Sequence, residues 1–157
     1  MNTIIMIFVL MEGLSVEKYT LLKAILIDEL TFNQVSRQFH TNAETIKAIF
    51  HKLVDISNRT YGIDLAHISG VDTDALLRQL STSSHPSVSK IVTYFQTSVT
   101  YEHALAKMVF DTDPHIRKLV ARFCYTPQSL LEHLTGDPES TVNSIAVGRL
   151  RKKGMYV

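Results

Sequence analysis

The chain has 157 residues, of which 45% are hydrophobic and 20% charged, a balance that supports a buried core and excludes a collagenous, low-complexity or disordered chain. With 16 Lys and Arg against 15 Asp and Glu the net charge is +1, so there is no bulk basic excess and any nucleic-acid binding must rest on a local patch. The single cysteine, Cys124, excludes an intrachain disulfide and any cysteine-built zinc or iron–sulfur site; the length fits one domain, or two small ones sharing a core.

The run Ile4–Met11 is apolar at every position. It is too short to span a bilayer, and it lacks the basic start and small-residue cleavage site of a signal peptide. Residues 1–13 are expected as a strand, a short buried helix or a segment packed on a second subunit. Burial against the core or a partner is favoured, because eight exposed apolar residues would invite aggregation.

Helix signals dominate from residue 14. Ser15 is a candidate cap, with Leu14 and Tyr19 as the staple around it. Val16, Tyr19, Leu22, Ala24, Ile25, Leu26 and Leu30 then recur at helical spacing. Thr31 and Gln34 form a capping box, so one helix is expected to end and another to begin at Leu30-Thr31. Val35 and Phe39 share a face of this short second helix. His40-Thr41-Asn42 breaks it, and either Thr41 (with Glu44) or Asn42 can cap a third helix carrying Ile46, Ile49, Phe50 and Leu53 inward, as far as Ile56. Ser57–Gly62 reads as a turn and Ile63–Gly70 as a short helix or connector.

The remainder contains an internal repeat. Shifts of about 28 and then about 26 residues align six apolar columns. They are Leu76/Ala104/Leu130, Leu77/Leu105/Leu131, Leu80/Met108/Leu134, Val88/Ile116/Val142, Ile91/Leu119/Ile145 and Val92/Val120/Ala146. Each unit reads as helix, polar turn, helix, with turns at Ser81–His85, Asp111–Asp113 and Gly136–Ser140. Asp113-Pro114, Thr126-Pro127 and Asp137-Pro138 read as N-cap and first-turn proline pairs. One such unit cannot bury its apolar face alone, whereas three stacked units make a continuous core.

Two resemblances follow. Phe32–His51 resembles a helix-turn-helix of the bacterial regulator kind, with apolar Val35, small Ser36, Phe39 closing the first helix, and Ile46 and Ile49 on the second. His40 occupies the turn position where glycine is commonest, and Thr41 one that is usually apolar; the motif implies φ > 0 at His40, which histidine tolerates less well than glycine. The C-terminal half is similar to leucine-rich repeat variant and HEAT-like helical repeats, through Asp111–Arg122, Tyr125–Leu134 and Gly136–Val142. That likeness implies a curved helical surface and no reaction. The iron–sulfur module of some such proteins is ruled out by the lone cysteine.

The expected fold is therefore all-α: an N-terminal tri-helical helix-turn-helix unit followed by a three-unit α-helical repeat stack. Its parts are the apolar segment 1–13, the helix-turn-helix domain 14–60, a connector 61–70 and the helical repeat domain 71–157. The first resemblance implies a sequence-specific DNA-binding transcriptional regulator whose second motif helix enters the major groove. Its DNA-facing residues would be Asn42, Ala43, Glu44, Thr45, Lys47, Ala48 and His51. Glu44 suits cytosine N4 and Asn42 suits adenine; Arg37, Thr41, Lys47 and Lys52 suit phosphates. The cluster from Arg149 to Lys153 would add sequence-independent affinity, or simply favour a helix C-terminus. Expected partners are double-stranded DNA, a second copy forming a homodimer, and a protein held by the repeats, in the cytoplasm with no membrane. The alternative is a non-enzymatic interaction adaptor or inhibitor using a concave face of Tyr94, Tyr101, Tyr125, Arg117, Lys118 and Arg122. Neither reading calls for a catalytic residue, cofactor or metal: the seven histidines are scattered, and no nucleophile or phosphate-loop motif occurs.

Overall fold

The computed structural model describes residues 3–70 and 73–154. These are all-α, with no strand among them. The elements are α1 (Thr3–Glu12), α2 (Val16–Leu26), α3 (Phe32–Gln38), α4 (Ala43–Ile56), α5 (Thr73–Ser81), α6 (Pro86–Gln96), α7 (Tyr101–Met108), α8 (Pro114–Arg122), α9 (Gln128–Leu134) and α10 (Ser140–Lys152). A π-helical turn (Ser57–Tyr61) and a 3₁₀ segment (Leu65–Gly70) join α4 to the repeats; the expected repeat start at Val71 lies outside the described residues. No helix among them is long and apolar enough to cross a membrane.

The apolar N-terminal run is a helix buried on every side. Ile4 to Leu10 are at most 2% exposed, and Met11 is 6% exposed. α1 packs against α2, α5, α6 and α8. A helix apolar all round has no face to give to water and belongs in a core. At ~1.5–3 kcal/mol per buried apolar side chain, α1 contributes on the order of 12–24 kcal/mol gross. The run therefore needs no second subunit to shield it.

α2 to α4 form through the expected caps. The Ser15 Oγ accepts from Lys18 N–H. Thr31 and Gln34 close both bonds of their capping box, at 3.2 and 2.8 Å. Asn42, not Thr41, caps α4 through Oδ1 and Thr45 N–H at 2.8 Å. α2 ends earlier than its periodicity suggests, at Leu26, because Glu29 adopts φ 55 and turns the chain before Leu30.

The expected columns line the repeat core. Leu76, Leu130 and Ile145 are partly buried and every other member is buried. The pairs α5/α6, α7/α8 and α9/α10 pack as hairpins. Asp113 caps α8 as expected, but the other two proline pairs differ. Asp137 lies two residues ahead of the α10 cap, Glu139, accepts its N–H, and pairs with Arg117. Thr126 is buried with its hydroxyl donating to Val120 O, and Pro127 precedes α9. Asp137 thus divides its carboxylate between a local N–H and Arg117 of the preceding unit, while Thr126 turns back to the end of α8.

A ladder of two acids, Asp111 and Asp137, ties the units together. Ser83, Asp111 and Asp137 occupy one repeat position, and each accepts the N–H two residues on. Asp111 also receives Lys90 and Tyr94 of the preceding unit, both at 2.6 Å. Asp137 receives Arg117 at 2.7 and 3.1 Å. Burial works against the charged form of Asp111, but the bonds from Lys90, Tyr94 and Asp113 N–H outweigh it and hold the carboxyl below its ordinary value. The hydrogen bond to Asp111, with burial, pushes the Tyr94 hydroxyl up to about 12.

These and other contacts engage Tyr94, Arg117, Arg122 and Tyr125, four of the six residues expected on a concave face, within the chain. Tyr94 and Arg117 are spent on the ladder. Arg122 donates to Glu12 O at the end of α1, and the Tyr125 ring packs edge-on against Tyr19 of α2, 5.3 Å between centroids. Tyr61, after α4, donates to the Glu12 carboxylate at 2.7 Å; burial and that bond raise its pKa. The segments thus share one continuous core in which α1 joins the tri-helical part to the repeats.

Candidate nucleic-acid interface

The segment read as a helix-turn-helix consists of α3, a tight turn and α4. Val35 and Ile46 are buried, at 0% and 1% exposed, and the Phe32 ring packs on Phe50 across the two helices, 5.7 Å between centroids. Phe39 ends α3, and His40 takes φ 53, the left-handed conformation the turn demands. The Thr41 N–H then returns to Ser36 O at 3.0 Å. Small Ser36 donates its own hydroxyl back to Asn33 O.

α4 buries Ile46, Phe50 and Leu53 and exposes Glu44, Thr45, Lys47, Ala48, His51 and Lys52; Ala43 is partly buried. Advancing about 100° per residue from the buried stripe puts Glu44, Ala48, His51 and Asp55 on the outermost stripe. Lys47 and Lys52 fall on opposite flanks, about 140° apart. Neither lysine, nor Arg37 or Glu44, forms an ion pair or side-chain hydrogen bond among the described residues. Asp55, by contrast, is held by Arg59 at 3.0 Å.

Arg37, His40, Thr41 and Asn42 line one shallow depression at the turn. The structure thus brings Arg37 to the N-terminus of α4, where the Ala43 and Glu44 N–H groups lack an intrahelical partner. On one flank, Lys47 shares a cleft with Thr31, Phe32 and Asn33. On the other, Thr41 and Thr45 border a groove with Ser15, Glu17 and Lys18 of α2. Lys18 is a candidate that sequence reasoning missed. It forms no ion pair among the described residues, and only the packing of α2 places it beside Thr45.

Two expected roles change. The Asn42 Oδ1 that would accept from adenine N6 is committed to Thr45 N–H, so a bidentate adenine contact is closed to it while it caps the helix. The His51 ring lies against Phe32 and Phe50, 6.1 and 5.8 Å between centroids, which fixes its side. In the C-terminal basic cluster, Arg149 turns inward to donate to the carbonyls of Ala121, Phe123 and Cys124, leaving Arg151, Lys152 and Lys153 exposed. Among the described residues no group of three or more His, Cys, Asp or Glu is placed to hold a metal.

Compared with known protein families, curated proteins and solved structures, the chain matches none.

Proposed function

We propose that this chain is a non-enzymatic, sequence-specific DNA-binding transcriptional regulator acting in the cytoplasm. α4 enters the major groove with Glu44, Thr45, Ala48 and His51 toward base edges. Arg37, Thr41, Lys47, Lys52 and the α4 N-terminus meet phosphates. The observation that carries this reading is an exposed helix whose outer stripe, with Glu44 and Ala48 uncommitted, lies between two unpaired lysines. Two cations on opposite flanks suit the two phosphate walls of a groove.

Homodimerisation belongs to the proposal because a lone unit of this kind gains little affinity, and half-site pairing is the usual remedy. With α1 buried in its own chain, that argument alone supports it. Sedimentation showing a monomer at micromolar concentration on DNA-free protein and one copy per duplex would remove it.

The decisive test is fluorescence anisotropy with a labelled random-sequence duplex across a salt series. The expected result is binding that weakens steeply with salt. No binding even at low salt refutes the regulator.

One observation favours an adaptor as second reading. Phe110 is 71% exposed and packs at a tilt against His133, 4.8 Å between ring centroids, where the other units carry Thr82 and Gly136. A protein partner captured by the wild type and lost with Phe110→Ala, together with no DNA binding, would favour it.

A further inference from the structure

Glu44 puts an exposed carboxylate on the DNA-facing surface. It stands in the first turn of α4, on the outer stripe, exposed and in no ion pair among the described residues, with Lys47 three residues on lining the same cleft. A carboxylate carried into a groove lined by phosphates is repelled unless it finds a hydrogen-bond donor. The major groove offers only two such donors on base edges, cytosine N4 and adenine N6. Adenine presents its amino group beside the N7 acceptor, which repels a second carboxylate oxygen; cytosine has no acceptor beside N4.

The neighbours on the stripe sharpen this choice. Asn42, the one amide placed to read adenine, is consumed as the α4 cap. Asp55 is neutralised by Arg59 toward the far end. At the level of Glu44 the outer stripe therefore holds no lysine, arginine or free amide to meet the O6 and N7 acceptors of guanine; the ring of His51 lies about two turns further on. One turn on, about 6 Å along the axis, Ala48 offers a methyl group, which matches the methyl of a thymine.

Resting on the DNA-binding reading above, we propose that Glu44 is the specificity gate of α4: it selects a cytosine in the contacted half-site by accepting its N4–H, and rejects bases that present only acceptors. Removing the carboxylate relaxes choice at one position.

The test is selection from a random duplex pool with wild type, Glu44→Ala and Glu44→Gln, followed by binding to single-base variants of the enriched site. Glu44 is exposed, and far-UV circular dichroism shows whether each variant keeps its helix content. The expected wild-type site contains a cytosine whose replacement weakens binding by roughly tenfold, within the roughly 5- to 150-fold range of a direct base contact. With Glu44→Ala that penalty disappears. Glu44→Gln, which can also donate, admits further bases at the same position. Binding to duplex with a cytosine preference that survives Glu44→Ala, or with no preference for cytosine at all, overturns the gate and leaves the regulator standing. No binding of the wild type to any duplex overturns both.

Discussion

Gly13 and Arg122 form a contact whose energy can be separated by a double-mutant cycle. Gly13 follows α1 at φ 63, and Arg122 Nη2 donates to Glu12 O at 3.1 Å. A Cβ placed on Gly13 would collide with the Arg122 guanidinium. Gly13→Ala therefore acts twice. It imposes left-handed strain of ~1–2 kcal/mol, and it pushes Arg122 off its carbonyl, removing a charged hydrogen bond of ~1.5–3 kcal/mol. The expected single-variant cost is ~2.5–5 kcal/mol, a large share of a typical stability of ~5–15 kcal/mol. Arg122→Ala alone costs ~1.5–3 kcal/mol. In that background Gly13→Ala keeps only its strain, so the pair shows a coupling of ~1.5–3 kcal/mol. Urea denaturation of the four proteins, followed by circular dichroism, measures this; with slopes of ~1–3 kcal/mol/M the coupling is a midpoint difference of about 1 M. Costs that simply add, within ~0.5 kcal/mol, would refute the argument that the alanine acts through the guanidinium.

The remaining predictions concern the ladder, the turn and the flanks of α4. Arg117→Ala leaves Asp137, whose side chain is 5% exposed, as an unpaired buried charge, and is expected to cost ~3–5 kcal/mol in denaturant melts. Arg117 holds the Asp137 carboxyl below its ordinary value of 3.8; the stabilisation is therefore full above that value and lost as pH falls through the lower folded value. Acid titration of Asp137→Asn should show a shallower loss of stability in that window, and an unchanged profile would show that the pair does not carry it. His40→Gly removes left-handed strain at an exposed side chain and should stabilise by ~0.5–1 kcal/mol after the entropy of glycine is subtracted; a destabilisation would mean the histidine holds the turn. Lys47→Ala and Lys52→Ala should each reduce the salt slope of duplex binding by about 1, and unchanged slopes would place the phosphates elsewhere.

Much of the fold was legible because its signals are local. Ser15, Thr31 and Asn42 accept N–H groups three residues on, whatever lies around them. The repeat columns report a periodicity that any helical hairpin needs in order to bury one face. The positive φ at His40 followed from the geometry of a tight turn between two helices. Less of the candidate site could be read this way. Residue types nominated Asn42 for adenine, but its cap bond is visible only once α4 begins at Ala43. Lys18 is remote in sequence from Thr45, so only packing could place it there.

By itself, then, the sequence determined the helices, their caps and the register of the repeats, because these depend on spacing over a few residues. The tertiary structure alone decided where the uniform apolar run goes. Ile4 to Met11 has no face that points to a partner, so its periodicity cannot say what covers it; α2, α5, α6 and α8 do. It also decided the use of the charged side chains. Lys90, Arg117, Arg122 and Arg149 look like surface cations in the sequence, yet each reaches an acid or a carbonyl distant along the chain. Those contacts depend on distances between segments, which spacing along the chain does not contain.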